Sequence, residues 1–388
     1  MADPVSAQLP TEAGQAWEAA ALRWRASMES EGMVGASLAL VDRTGLAALE
    51  TFGHAEIATG GATRDVPVDD ATIYHWASIT KTFTAISILQ LRDRGLLDLD
   101  DPIVRYVPEL AGVSNPFGPM EAVTIRHLLS HSAGFRGGTW PWGGDQDWHP
   151  HEPTEWSQLV AMIPYTRIHF EPGSRFSYSN PGIIWLGRVI ETVTGDVFEA
   201  YVDKNVFRPL GMHRSYFDGT PWHLLAHRAN HYWIGGGGAR AGGRDFNTGI
   251  TVSNGGLNAP VGDMARYVAF LLGGMDQDPD AAGVLARASL EEMWRTVVPI
   301  GDSELGTESM GLSFFLYDTP GGRLVGHTGT QRAYYSFLLF DPDAGVGVLG
   351  AFNSVGEDGG PPRTAELRIR TRADVAETVF PAAGRTRP

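Results

Sequence analysis

Ser78 and Lys81, in Ser78-Ile79-Thr80-Lys81, are side chains whose types and spacing could do chemistry together. A serine hydroxyl attacks a carbonyl only once a base takes its proton. Lysine is nearly absent from this chain: Lys81 and Lys204 are the only two among 30 Lys plus Arg. Arginine stays charged and cannot act as a base, whereas an ammonium can lose its proton. Burial can depress a lysine pKa by up to about 3–5 units, which brings the neutral amine within reach near neutral pH. Ile79, Phe83, Ile86, Ile88, Leu89 and Leu91 make the following segment apolar almost all round, as in a buried helix. An i, i+3 spacing at its start puts both groups on one face, where N–H dipoles favour developing negative charge. The competing reading has Ser78 as a helix cap and Lys81 snorkelling to solvent. The preference for Arg, with 48 Gly, also fits a GC-rich genome, and Lys204 has no evident role.

Two further clusters bear on this pair. Tyr178-Ser179-Asn180 lies ahead of Pro181, so Asn180 and Pro181 read as the N-cap and first residue of a helix running to Thr194. A tyrosine oxygen near an ammonium could accept and return a proton, although a free phenol titrates near pH 10. Gly326-His327-Thr328-Gly329-Thr330 reads as a strand whose small residues allow a substrate backbone to lie along its edge. The N–H of Thr330 could join that of Ser78 in an oxyanion hole, where loss of one donor typically costs about 2.7–4 kcal/mol.

In the order S-x-x-K, Y-x-N, H-x-G, these motifs resemble the serine β-lactamase and penicillin-binding protein superfamily. The branch they look most like holds class C β-lactamases, DD-peptidases, D-aminopeptidases and family VIII carboxylesterases. Leu128-Leu129-Ser130-His131-Ser132-Ala133-Gly134, Pro209-Leu210-Gly211-Met212 and Gly255-Gly256-Leu257 before Asp263 agree with the resemblance, which spans roughly residues 15 to 355. The resemblance implies that Ser78 attacks an acyl carbon while Lys81 and Tyr178 handle the proton. It also implies that Asn180 hydrogen-bonds the substrate and Lys81, that His327 and Thr328 orient the substrate with Gly329 beside them in the substrate-binding set, and that Ser78 and Thr330 N–H groups hold the oxyanion. Whether Lys81 or Tyr178 is the first base stays open on sequence grounds.

His327 departs from the lysine often found in the third motif. Histidine is mostly neutral at pH 7, which points away from a dedicated β-lactamase and toward an esterase, amidase or peptidase. An acyltransfer to an amine or alcohol would use the same acyl-enzyme, and a non-catalytic acyl-binding sensor is the least favoured case. Trp140, Trp142, Trp148 and Trp156 could form an aromatic lid over a bulky acyl group, or simply anchor a long loop. Tyr74, Trp233, Arg332 and Tyr334 are further candidates for the pocket wall. The pairs His127/His131 and His223/His227 have i, i+4 spacing, and His149 and His151 are close, but none carries an acidic third ligand at convincing spacing. No metal or cofactor is expected.

These residues must be positioned by the rest of 388 residues. Residues 11–31 read as an amphipathic helix with Trp17, Ala21, Trp24 and Met28 on one stripe. Strands are expected at 36–41 and 46–52, then at 311–317, 323–326, 334–340 and 346–352, with a short final helix near 371–380. Between them, helical patterns fall at 78–95, 124–130, 154–163, 181–194, 197–206, 261–273 and 286–297. Strands at both ends and a helical middle imply an α+β fold, an antiparallel sheet flanked by helices with an inserted, mostly helical lobe. Residues 1–75 with 300–388 would form the sheet lobe and 76–299 the helical lobe, with the site in the cleft between them. Gly235 to Gly238 mark a flexible loop. A composition of 43% hydrophobic and 19% charged residues is that of an ordinary globular protein. The formal charge of -15 argues against nucleic-acid and anionic membrane partners, and the absence of cysteine excludes thiolate chemistry. With no signal-peptide pattern at the start, a cytoplasmic location and a small-molecule ester, amide or peptide substrate are expected.

Overall fold

The computed structural model describes residues 11–59, 64–135, 153–245 and 247–384. Nine strands form one antiparallel sheet. They are β1 (Gly35–Asp42), β2 (Gly45–Glu56), β3 (Val66–Pro67), β4 (Val298–Ser303), β5 (Gly306–Met310), β6 (Phe315–Thr319), β7 (Gly322–Gln331), β8 (Tyr334–Asp341) and β9 (Val346–Phe352). The first and last segments of the chain meet in its middle, where β1 pairs with β9 over Ala36–Phe352 to Asp42–Val346. From there β2 and β3 extend the sheet one way, and β8, β7, β6, β5 and β4 extend it the other.

Five helices cover this sheet or carry motif residues: α1 (Thr11–Glu31), α2 (Thr80–Asp93), α3 (Asn180–Thr194), α4 (Val261–Leu271) and α5 (Thr364–Gly384). Strand periodicity decides which of them each sheet face meets. Ala36, Leu38 and Leu40 of β1 join Trp17, Trp24 and Met28 of α1 and Leu367, Val375 and Val379 of α5 in one apolar cluster. Ala39 and Val41 point the other way, into a larger cluster with Phe83 and Ile86 of α2, Ile183 and Trp185 of α3 and Tyr267 and Val268 of α4. At the end of α1, Glu31 pairs with Arg363 (2.6 Å) and Arg370 (3.4 Å), tying the N-terminal helix to the start of α5.

Several expectations change. The strand expected from 311 starts only at Phe315, because Gly311–Phe314 is a turn: Ser313 has φ 59° and its N–H donates to Leu129 O (2.8 Å). Strands β4 and β5 carry no clear sequence signal, since Pro299 and Gly301 break the alternation of β4, and β5 is a short Gly306-Thr307-Glu308-Ser309-Met310 run. The final helix starts at Thr364 rather than near 371, its buried side at Thr364, Leu367, Thr371, Val375 and Val379 interrupted by arginines and glutamate. Gly235–Gly238 is the turn of a hairpin joining Tyr232–Gly235 to Gly238–Ala241, and Ser354–Gly356 adds to it in parallel. Among the described residues, no helix is long and apolar enough to cross a membrane.

Candidate active site

Ser78 sits on a turn held from two sides. Ile73–His75 pairs with Leu257–Pro260, and Trp76 continues the attachment, its N–H donating to Leu257 O (2.8 Å) and its Nε1 to Ala259 O (2.9 Å). Ala77 then takes a left-handed φ of 48°, and residues Ala77–Ile79 make one tight turn before α2 begins. Such a conformation in a non-glycine residue costs of order 1–3 kcal/mol and persists only when its surroundings over-determine it. Thr80 supplies part of that, donating to Ala77 O (2.6 Å) and accepting from Leu257 N–H (3.0 Å). The turn leaves Ser78 half-buried and reachable while Lys81, one turn on, is fully buried.

The capping reading of this pair does not hold. Neither Ser78 nor its neighbours cap the helix with a side chain, and Lys81 does not reach solvent. Its Nζ donates to Ser78 Oγ (2.9 Å) and to the backbone carbonyl of Asn254 (2.7 Å). Burial holds the ammonium well below the ordinary lysine range. In the neutral amine an N–H stays on Asn254 O, and the lone pair is free to take the Ser78 proton across the same 2.9 Å.

Tyr178 lies over this pair, its ring centroid 5.1 Å from Lys81 Nζ. Its ring is stacked between His131 (4.4 Å) and Phe315 (6.3 Å). Burial pushes the phenol above its ordinary range, and a hydrogen bond with Ser78 pulls the other way. The cap of α3 is Ser179, whose Oγ accepts from Gly182 N–H (3.1 Å), and not Asn180. Asn180 occupies the first helical position instead, and its Oδ1 is buried without a protein partner. The hydrogen bond to Lys81 expected from the resemblance is therefore not made, and Asn254 O occupies that role.

The third motif lies on β7. Strand β6 ends its pairing at Phe315–Gly326, whereas β8 pairs on to Tyr334–Gln331, so His327 to Gln331 run past β6 and leave one edge of the strand open. Gly329 brings that segment against the Ser78 turn: a Cβ there would lie 2.2 Å from Trp76 O and 2.3 Å from Ser336 Oγ. His327 is buried, and its Nδ1 donates to Thr328 O (2.7 Å), leaving Nε2 as a bare acceptor with no protein partner. Burial, with Lys81 nearby, holds its pKa down to about 3. Thr328 is half-buried and Thr330 exposed. Arg368 of α5 donates from Nη1 to Gly329 O and Thr330 Oγ1, both at 2.8 Å.

The beta-lactamase family model matches residues 3–372. The chain belongs to the beta-lactamase family. Protein flp of Staphylococcus aureus (strain MW2) is 26% identical over 315 residues, covering 81% of this chain and 58% of that protein. Penicillin-binding protein 4* of Bacillus subtilis (strain 168) is 29% identical over 190 residues, covering 48% of this chain and 38% of that one. The chain thus spans less than two thirds of the curated relatives it matches. A solved penicillin-binding protein homologue from Pyrococcus abyssi is 27% identical with a TM-score of 0.75, covering 95% of this chain and 78% of that chain. A class C beta-lactamase shares the fold at 18% identity and a TM-score of 0.76, covering 96% and 98%. The beta-lactamase-like fold expected from the motifs is the fold observed.

The expected pocket walls fare unevenly. Tyr74 and Tyr334 belong to the core, with Tyr74 Oη and Ser37 Oγ sharing a hydrogen bond at 3.0 Å and Tyr334 Oη donating to Ala229 O (2.5 Å). Trp233 sits on the small hairpin against His231 (5.0 Å), with Arg240 over its ring at 4.3 Å. Arg332 is exposed at the left-handed turn between β7 and β8. Of the four loop tryptophans, Trp156 is an anchor, edge-on to Trp185 (5.4 Å) and donating to Glu109 (3.1 Å). Trp140, Trp142 and Trp148 lie outside the described residues, as do His149 and His151. His223 and His227 fall on a 3-10 turn, where an i, i+4 pair does not share a face. Among the described residues no His/Asp/Glu group could hold a metal ion. A separate cavity of about 300 Å³ is lined by Trp156, Arg188, Glu191, Glu199, Asp218 and Ser253, the residue before Asn254.

Three groups escape sequence reasoning. The Asn254 carbonyl has no side-chain signal. Phe315 reads as one more strand residue, with nothing in the pattern to say that its face meets Tyr178. Arg368 is distant in sequence and touches the site through a backbone carbonyl.

Buried neutral histidines make an acid prediction. His327 and His75 are held down to about 3 and about 4, mainly by burial, and His131 well below its ordinary value. An unfolded histidine takes its proton near pH 6.5, so between those values the unfolded chain binds more protons and stability falls as pH drops. The urea midpoint is expected to decrease from pH 6.5 to pH 4, less steeply in His327→Gln. Equal slopes in the two proteins would contradict the neutral assignment of His327.

Proposed function

We propose that this chain is a serine hydrolase that forms an acyl-enzyme on Ser78 and cleaves an ester or amide, of carboxylesterase, D-aminopeptidase or DD-peptidase type. The observation that carries the reading is the fully buried Lys81 amine 2.9 Å from a reachable Ser78 hydroxyl. Lys81 is the first base, because burial favours its neutral amine and opposes the phenolate of Tyr178. Lys81 takes the Ser78 proton as Oγ attacks, and Tyr178 relays it to the leaving alcohol or amine. Ser78 and Thr330 N–H groups hold the oxyanion, with the substrate backbone along the open edge of His327, Thr328 and Gly329. Asn180 Oδ1, an acceptor without a protein partner, takes an N–H of the substrate. The site lies between a sheet lobe of residues 1–75 with 300–388 and a helical lobe of 76–299.

A neutral His327 in place of a permanent charge points away from a dedicated β-lactamase and toward an esterase, amidase or peptidase. Likeness in fold to a D-stereospecific amidohydrolase from Streptomyces sp. (24% identity, TM-score 0.68, covering 89% of this chain and 96% of that chain) is consistent with an amide. The test is mass spectrometry of the intact protein after exposure to a nitrophenyl ester, a D-Ala peptide amide and a β-lactam. A transient Ser78 adduct with the ester or amide is expected, and turnover lost in Ser78→Ala. Turnover retained in Ser78→Ala would overturn the mechanism. Turnover that accelerates with added amine or alcohol, with transfer product formed, would make the enzyme an acyltransferase instead.

A further inference from the structure

We propose that His131 is the positioning residue of Tyr178, holding its phenol in register with Ser78 and Lys81; this rests on the acyl-enzyme reading proposed for the site. His131 grips the chain on both sides of Tyr178. Its backbone carbonyl accepts from Ser177 N–H (2.8 Å), and its Nδ1 accepts from Ser179 N–H (3.1 Å). Between those two points its ring lies on the Tyr178 ring, centroids 4.4 Å apart and planes 27° apart. The residue before Tyr178, the residue after it and the ring itself are thus fixed by one side chain and its own peptide.

Packing alone does not require this arrangement. His131 adopts φ 53°, a left-handed conformation uncommon in non-glycine residues, though histidine enters it more readily than most. Its own N–H is tied to Leu128 O (3.1 Å), and Ser132 N–H to His127 O (2.8 Å), so the strained turn is anchored in the short helix Ile125–Leu129. An accepting Nδ1 leaves the proton on Nε2, which is buried with no protein partner. Neutral histidine alone supplies both a flat ring and an acceptor at the δ position. Phenylalanine would keep the stack and lose the acceptor, and asparagine would keep an acceptor and lose the ring. A residue holding the proton relay to a fraction of an ångström matters for turnover more than for substrate binding, because misplacement near 1 Å can cost about 10²-fold.

The test is a double-mutant cycle with a nitrophenyl ester as substrate. His131→Phe is expected to lower kcat at least about tenfold with KM within about twofold. In a Tyr178→Phe background the same change is expected to cost less than about twofold, since the group it positions is gone. His131→Asn should recover part of the loss. Equal losses in both backgrounds, or an unchanged kcat in His131→Phe, overturn the inference while Ser78→Ala remains inactive. Turnover in Ser78→Ala overturns the acyl-enzyme reading itself. Where His131→Phe does not fold, nitrogen NMR of the parent protein decides: a neutral Nε2–H tautomer supports the clamp, and an Nδ1–H tautomer removes it.

Discussion

Lys81→Met is expected to lower kcat/KM by about 10²–10⁴-fold, the usual range for losing a positioned general base. Methionine fills nearly the same volume without the amine. Lys81→Arg is expected to give no rescue, because guanidinium keeps its proton and does not fit a site sized for one Nζ between Ser78 Oγ and Asn254 O. A second, independent readout is stability against pH. The folded lysine is held well below its ordinary value of 10.5, so the unfolded chain binds the extra proton between the two values. Stability of the parent therefore rises with pH up to about 10.5 through this group, and Lys81→Met lacks that slope. Denaturant midpoints of the two proteins should converge as pH rises. A Met variant that keeps parent activity, or a gap between midpoints that does not narrow, would show that Lys81 is neither base nor buried amine.

Gly329→Ala is expected to be nearly as damaging from outside the proton-transfer pair. The added methyl meets Trp76 O at 2.2 Å and Ser336 Oγ at 2.3 Å. Neither has room to retreat: Trp76 is fully buried, and Ser336 Oγ donates to that same carbonyl (2.9 Å). Overpacking of this kind costs about 1–3 kcal/mol. The strand relieves it by moving away from the Ser78 turn, which separates the Thr330 N–H from Ser78 and should lower kcat/KM by about 10²-fold. Thermal unfolding and ester turnover on one preparation test both effects. Parent values for both would mean that β7 tolerates displacement and does not set the oxyanion geometry.

The residues proposed to react are legible in the sequence because their chemistry is carried by residue type at short spacing. Ser78 with Lys81 needs only an apolar helix after it, and the helix is there from Thr80. Strands β1, β2, β8 and β9 are legible because they alternate or run apolar between clear turns. Less regular elements hide: β4 and β5 carry proline and glycine, and the turn at Gly311–Phe314 is set by a contact with Leu129, far away in sequence. The cap of α3 falls one residue from its expected place because Ser179 and Asn180 are equally good caps by type, and only the direction of the backbone decides between them. His131 passes for a packing residue since its partners, Ser177 and Ser179, offer N–H groups that every residue other than proline possesses.

The hold on the Lys81 amine by Asn254 O has a consequence for how this site can change. A side-chain acceptor would have a genetic address, and one codon change could delete it or swap its charge. A main-chain carbonyl has none. Substituting Asn254 leaves the oxygen in place, so the lysine environment can be retuned only by bending the segment Val252–Gly255 that presents it. On the proposed mechanism, substrate preference can therefore drift through the third motif and the loops, while the contact that holds the Lys81 amine is shielded from single substitutions at Asn254.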